Sequence, residues 1–279
     1  MKLGNESKTS PLISIVTVVL NDVQSIEKTI QSVLINKNQL IEYIVVDGGS
    51  IDGTLDVVNY YKGQIDIIVS GPDGGLYDAM NIGIAKSSGL IVGLLNSGDY
   101  YEIGALSEIA KLVNEYGSSV IYYSDAFLAY SDMNLRLLVR ANITNINKYM
   151  SVCHQATFIP RSIYQKYGCY SMDYRFSSDF AFLLKLYLSN ESFIYCEVPL
   201  VTFSTGGLSD SRILQSRLES IKILFRLNSP YKLLGTTRYM YEVLQMYVYK
   251  IIILIAGEKL SSKLRTFLFH KKSPASTNQ

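Results

Sequence analysis

The sequence has no tryptophan, two histidines, three cysteines and six prolines in 279 residues, and only 18% of it is charged. Each shortage removes a class of protein. Cys153, Cys169 and Cys196 cannot build a disulfide framework and contain no CxxC pair, so a reducing compartment is the simplest setting. With His154 and His270 as the two histidines, no zinc constellation exists. Few prolines beside 19 glycines exclude collagen-like and Pro-rich linker material. The longest charge-free run, residues 9–21, is too short to cross a bilayer as a helix, which takes ~20 apolar residues. Residues 251–256 are strongly apolar but lie between Lys250 and Glu258. A polar start (Lys2, Asn5, Glu6, Lys8) leading into a strand-like run carries no expectation of a signal peptide.

What is present is an apolar chain, 48% hydrophobic, too rich in core-forming residues to be disordered and long enough for one or two domains. Tyrosine is abundant, 22 residues, and its apolar ring with a polar tip suits half-buried surfaces and membrane edges. The net charge of +2 conceals two unlike parts. Residues 1–210 hold 14 Lys+Arg and 21 Asp+Glu, a net of −7; residues 211–279 hold 12 Lys+Arg and three Glu, a net of +9. The basic part suits an anionic membrane surface or nucleic acid. Nucleic acid is not expected: no compact basic motif occurs, and the acidic front would repel phosphate.

Hydrophobic patterning predicts strands at 13–20, 42–46, 65–70 and 90–95, alternating with helices at 25–34, 54–61 and 76–86. That alternation predicts an α/β fold with a mainly parallel sheet. Beyond residue 100 we expect helices at 106–115, 162–167 and 179–188, strands at 120–124 and 135–140, and at 194–205 either two strands or one bent strand. Residues 211–272 read as helices, the first with an apolar stripe of Leu214, Leu218, Ile221 and Phe225, the second over about 231–256. Residues 273–279 read as disordered.

Asp47, Asp73 and Asp99 each follow a predicted strand. Ligands of open α/β sheets bind outside the carboxyl ends of the strands, so three such aspartates imply one acidic crevice, unless each merely caps a loop. The loop Asp47-Gly48-Gly49-Ser50-Ile51-Asp52-Gly53-Thr54 permits close backbone approach to a ligand, while Asp52 or Thr54 could simply cap the next helix. It is neither a GxGxxG loop nor a phosphate-binding P-loop.

Four blocks occur in order: Thr17-Val18-Val19-Leu20-Asn21; residues 47–54; Ser70-Gly71-Pro72-Asp73-Gly74-Gly75-Leu76-Tyr77-Asp78-Ala79-Met80-Asn81; and Leu95-Asn96-Ser97-Gly98-Asp99. Together they resemble a family 2 glycosyltransferase with the GT-A fold over about residues 11–210, most like bacterial enzymes of O-antigen, capsule and exopolysaccharide assembly. The resemblance implies a GT-A catalytic domain at 1–210, with a nucleotide-sugar half (11–100) and an acceptor half (101–210), followed by a basic helical region at 211–279. It places Thr17, Leu20 and Asn21 under the base and ribose, gives Asp47 a hydrogen bond to the base, and lines the nucleotide-sugar pocket with Ser50, Asp73, Asn96 and Ser97. Asp78 and Asn81, one helical turn apart, would face the donor or brace the metal loop. Asp99 matches the metal-binding end of a DxD-like motif for Mn²⁺ or Mg²⁺. The usual motif ends in two adjacent aspartates, and Gly98 here implies a weaker or less metal-dependent site.

The same resemblance makes Asp179, in Ser177-Ser178-Asp179-Phe180, the catalytic base, although a first-turn aspartate is also favoured by the helix dipole alone. His154 and Gln155 would border the acceptor, and Gly206 and Gly207 belong to a late loop near the diphosphate. Arg212 and Arg217 would reach phosphate or form a solvated face. The implied activity is inverting transfer from a nucleotide diphosphate sugar, UDP-linked, to a saccharide hydroxyl, with a lipid-linked acceptor. The implied setting is cytoplasmic, on the inner face of the membrane. The basic helices would lie on an anionic leaflet, pack on the catalytic domain or form a homodimer. A non-catalytic nucleotide-sugar-binding scaffold is the rival expectation, motivated by Gly98.

Overall fold

The computed structural model describes residues 10–130, 135–204 and 212–256. Four parallel strands are built as the alternation predicts: β1 (Ile13–Val19), β2 (Ile41–Asp47), β3 (Ile67–Ser70) and β4 (Ile91–Asn96). Between them run α1 (Ile26–Asn36), α2 (Thr54–Tyr60) and α3 (Leu76–Lys86). The second half adds β5 (Tyr100–Tyr101), α4 (Ala105–Tyr116), β6 (Ile121–Tyr130), β7 (Leu135–Val139), β8 (Thr157–Pro160), α5 (Arg161–Tyr167), α6 (Ser178–Leu188) and β9 (Phe193–Ser204). Two helices, α7 (Ile213–Arg226) and α8 (Lys232–Ala256), end the described chain.

The described strands form one sheet in the order β3-β2-β1-β4-β8-β6-β9-β5, with β7 on β6. β8 runs antiparallel to both β4 and β6, so the parallel half is extended by a mixed half. Strand alternation sends Ile13, Ile15 and Val19 into one core cluster and Val16 and Val18 into a second on the other face. The first cluster is covered by α1, α2 and α4, the second by α3, α5 and α6 together with Ile223, Leu224 and Tyr239 from α7 and α8. Residues 194–204 belong to one bent strand. It pairs with β6 up to Ser124↔Cys196 and resumes at Ala126↔Val201, so a bulge containing Pro199 lies between.

Most of the stripe expected on α7 is turned outward, and of its four residues Ile221 packs against the second core cluster. Leu214, Leu218 and Phe225 are exposed, and the buried residues are Ser216, Ser220, Ile223 and Leu224. Small serines let α7 approach the start of α6, where the Ser177 hydroxyl donates to the Ser216 carbonyl at 3.1 Å. Glu219 accepts from the backbone N–H groups of Arg175 and Phe176 at 2.9 and 2.8 Å. A contact face made of small polar groups leaves no hydrophobic period.

Candidate active site

The carboxyl ends of β1, β2, β3 and β4 form one edge, and the first three loops there tie themselves together. Asp47 is fully buried; its carboxylate accepts from the Ser50 N–H at 3.2 Å and the Ser70 hydroxyl at 2.7 Å. Asn21, with φ of 50°, donates its N–H to the Ser50 hydroxyl at 2.8 Å, and its side-chain oxygen accepts from Ile51 at 2.9 Å. Asp73 accepts from the Gly75 N–H and Asp78 from the Gly74 N–H, both at 2.8 Å. A Cβ on Gly48 would stand 2.7 Å from Asp73 Oδ2, so glycine there lets the loops after β2 and β3 close on each other. Leu20 sits exposed on the rim. The N-cap of α2 is Gly53, with no side-chain cap; Asp52 before it accepts from the Thr54 N–H in a local turn and from the Val23 N–H in the loop after β1.

Two of the predicted donor residues lie elsewhere. Thr17 is fully buried, and its hydroxyl accepts from Tyr43 at 3.1 Å, because its strand position points into the core. Asn81 faces neither donor nor metal loop: its side chain makes two 2.9 Å bonds to the backbone of Tyr170. Its effect on the site is indirect, since the Tyr170 ring packs on Tyr77, 5.7 Å between centroids. Arg217 pairs with Glu242 at 2.9 Å instead of reaching outward. Gly206 and Gly207 lie outside the described residues.

The loop after β4 and the turn at residues 154–156 bring the two key carboxylates together. Asp99 is 6% exposed. Its Oδ1 accepts from the Ser204 N–H at 3.0 Å and its Oδ2 from the Gln155 amide at 2.6 Å. Burial dominates and pushes the Asp99 carboxyl up to about 6, against these two hydrogen bonds and the influence of His154. Gln155 is itself oriented, because its oxygen accepts from the Cys153 thiol at 2.9 Å. Burial raises that thiol to about 12, so it remains a donor.

The adjacent residue, His154, places Nδ1 3.3 Å from Asp179 Oδ2. The Tyr77 hydroxyl donates to Asp179 Oδ1 at 2.8 Å. Burial alone would raise the Asp179 carboxyl, but the hydrogen bonds and charge of His154, with Tyr77, hold it below the ordinary carboxylate value. On its far side His154 Nε2 lies 3.4 Å from the Asn96 amide nitrogen. The chain of contacts thus runs Asp99, Gln155, His154, Asp179, with Asn96 joining the β4 end to the histidine.

Gly98 explains its own departure from the usual motif. Its φ is +91°, a conformation strained for any residue with a Cβ. Its N–H donates to Thr29 Oγ1 at 3.0 Å, and Ser97 donates to Asp22 Oδ2 at 2.6 Å. Asp22, Tyr77, Cys153 and Ser204 are site residues that the sequence reading passed over. Tyr77 lies within the block at residues 70–81, yet only the fold, which packs α3 beside the start of α6, reveals what it touches.

Among the described residues no three His, Cys, Asp or Glu side chains cluster as a metal cage. The donor set nevertheless fits a hard divalent cation shared with a ligand. Among the described residues, Asp99 is a buried carboxylate in no ion pair, and Asn96 Oδ1 is buried and accepts no hydrogen bond. Mg²⁺ and Mn²⁺ commonly bind one or two carboxylates and take their remaining oxygens from phosphate and water.

Comparisons with known proteins bear on the family and the fold. The family model described as Glycosyl transferase family 2 matches residues 14–167. A PGL/p-HBAD biosynthesis glycosyltransferase of Mycobacterium bovis is 28% identical over 225 residues, covering 78% of this chain and 87% of the relative. An uncharacterized glycosyltransferase of Mycobacterium tuberculosis is 31% identical over 221 residues, covering 73% and 79%. Among solved structures, Staphylococcus aureus TarS 1-349 in complex with UDP-GlcNAc superposes with a TM-score of 0.66 at 15% identity, over 82% of this chain and 71% of that one. The mannosyltransferase PcManGT from Pyrobaculum calidifontis, in complex with GDP-Man and Mn²⁺, also gives 0.66, at 13% identity over 93% and 80%. The fold is that of the GT-A glycosyltransferases, and the chain belongs to glycosyl transferase family 2.

Proposed function

We propose that the protein transfers a sugar, with inversion, from a UDP-linked nucleotide sugar to a hydroxyl of a lipid-linked saccharide, acting on the inner face of the cytoplasmic membrane in surface polysaccharide assembly. The observation that carries this reading is the linkage of Asp99 and Asp179 through two consecutive residues, Gln155 and His154. Transfer needs a cation site for the departing diphosphate and a base for the incoming hydroxyl, held at a fixed separation. Neighbours bound to UDP-GlcNAc and to GDP-Man with Mn²⁺ support the donor class and a divalent ion.

In this reading Asp47, Ser50, Asp73 and the Gly74-Gly75 turn shape the nucleotide side, and Asp99 with Asn96 would hold Mn²⁺ or Mg²⁺. The bound ion would neutralise charge developing on the diphosphate. Asp179 accepts the proton of the acceptor hydroxyl as that oxygen attacks the anomeric carbon from the face opposite the leaving group. One base then suffices and the configuration inverts. Tyr77 and His154 hold the carboxylate ionised and oriented, while His154 and Gln155 border the acceptor.

The test is Asp179→Asn. Positioned bases contribute about 10²–10⁴-fold, so transfer should fall by that factor with UDP binding retained. Normal turnover in the variant would remove Asp179 as the base. A screen of UDP- and GDP-linked sugars, read as nucleotide release, identifies the donor.

A further inference from the structure

The outer face of α8 is apolar and uncovered among the described residues. Leu234, Tyr241, Leu244, Val248 and Ile251 follow one another at steps of seven, three, four and three residues, so they share one face of the helix. Each is 47–59% exposed, and Leu233 (70%) and Met240 (57%) widen the ridge. Contiguous apolar surface of this kind marks a protein or membrane contact. The opposite face is committed inward. Tyr239 is buried, with its hydroxyl accepting from the Met150 N–H at 3.2 Å, and Gly235 seats against the Lys148 carbonyl and Leu224.

Charge identifies the occupant. Beside the ridge lies a cleft of about 470 Å³ lined by Lys148, Tyr149, Leu234, Arg238 and Tyr241. The Arg238 guanidinium stacks 3.7 Å over the Tyr149 ring. The acidic Glu242 is turned inward and pairs with Arg217 and Arg238. In the sequence, residues 250–272 carry six further Lys and Arg against one Glu. A second copy docking on this ridge would set cation against cation. An anionic bilayer accepts the apolar side chains and answers the charge together.

We propose that the outer face of α8 is the membrane-docking surface, its apolar ridge entering the headgroup boundary of an anionic leaflet with Lys148 and Arg238 at the phosphate level. No described helix is long and apolar enough to cross a membrane, so the contact is an in-plane one. This deepens the membrane reading above and depends on it. The helix that meets the lipid also holds, through Tyr239 and Gly235, the chain segment leading to His154. Docking therefore sets the acceptor side of the site against the surface in which a lipid-linked saccharide would lie.

The experiment compares the full chain with its Leu234→Glu/Leu244→Glu variant in cosedimentation with phosphatidylcholine vesicles, pure or with a third of the lipid replaced by phosphatidylglycerol. Sedimentation velocity, melting temperature and UDP binding are recorded in parallel. The wild type should bind the anionic vesicles and release them at high salt. The variant should bind roughly tenfold more weakly or worse, with UDP affinity and melting unchanged. Equal vesicle binding by both proteins overturns the proposal. So does a wild-type dimer that the variant dissolves without any vesicle effect, which would assign the ridge to a second copy. So does a lowered melting temperature with unchanged vesicle binding, which would mean the chain covers its own ridge. UDP binding by both proteins with no vesicle binding by either defeats the docking surface and leaves the transferase reading intact.

Discussion

The base is defined by what touches it. Asp179 receives Tyr77 on one oxygen and His154 on the other, and together they outweigh the burial that would neutralise it. A carboxylate whose native pKa is depressed stabilises the fold above its unfolded value, ~3.9, and loses that contribution as pH falls through the native value. At neutral pH the base is therefore charged, and the part of the acid limb that belongs to Asp179 lies below the ordinary carboxylate range. Tyr77→Phe removes one of the two donors and leaves burial in place, along with the neighbouring Tyr170. The acid limb of kcat should then move to higher pH by up to about one unit. His154→Gln should move it the same way, while KM for the donor stays within about twofold in Tyr77→Phe, because the Tyr77 hydroxyl bonds Asp179 and not the nucleotide loops. A limb that does not move would show that neither residue tunes the base. The sequence contained all three residues, but only Asp179 and His154 stand out by type. Tyr77 is one of 22 tyrosines, and nothing in its local pattern separates it from a core residue.

At the scale of elements, the parallel half was readable because each strand there is a short β-branched run ending in a polar loop. The mixed half was less so. β8 reverses direction between β4 and β6, and long-range pairing of that kind leaves no mark in local periodicity. The α7 stripe failed for a different reason. Helical period identifies an apolar face, and most of this one is exposed, while the contact with α6 runs through Ser216 and Ser220. The same close approach recurs at Gly235 in α8, where a Cβ would fall on the Lys148 carbonyl and 2.5 Å from Leu224 Cδ1. Gly235→Ala should push α8 off that segment. Overpacking of this sort costs about 1–3 kcal/mol, and a loss of that size should appear as a lowered melting temperature. Because α8 also holds Met150 through Tyr239, kcat should fall in parallel. A variant that melts and turns over like the wild type would show that the helix merely rests there.

For the whole molecule, the opposed charges of residues 1–210 and 211–279 suggest two separable parts, yet the structure joins them. Arg226 pairs with Asp173 at 2.9 Å, Glu219 caps the segment entering α6, and Ile223, Leu224 and Tyr239 complete the second core cluster. Each of these three side chains is essentially fully buried. Burial of a large apolar side chain is worth about 1.5–3 kcal/mol, so the three together supply roughly 5–9 kcal/mol. Domains of ordinary stability hold only about 5–15 kcal/mol in total. A chain cut after residue 210 should therefore unfold at a much lower temperature, lose its cooperative transition and bind a hydrophobic dye. Transfer should vanish with it, because α7 and α8 hold the segments carrying Asp179 and His154. Loss of vesicle binding by such a fragment would say nothing about membrane contact, which is why the α8 ridge is better probed by surface substitutions in the intact chain. A fragment of residues 1–210 that melts and transfers sugar like the full protein would refute the coupling and restore the basic helices as an independent appendage.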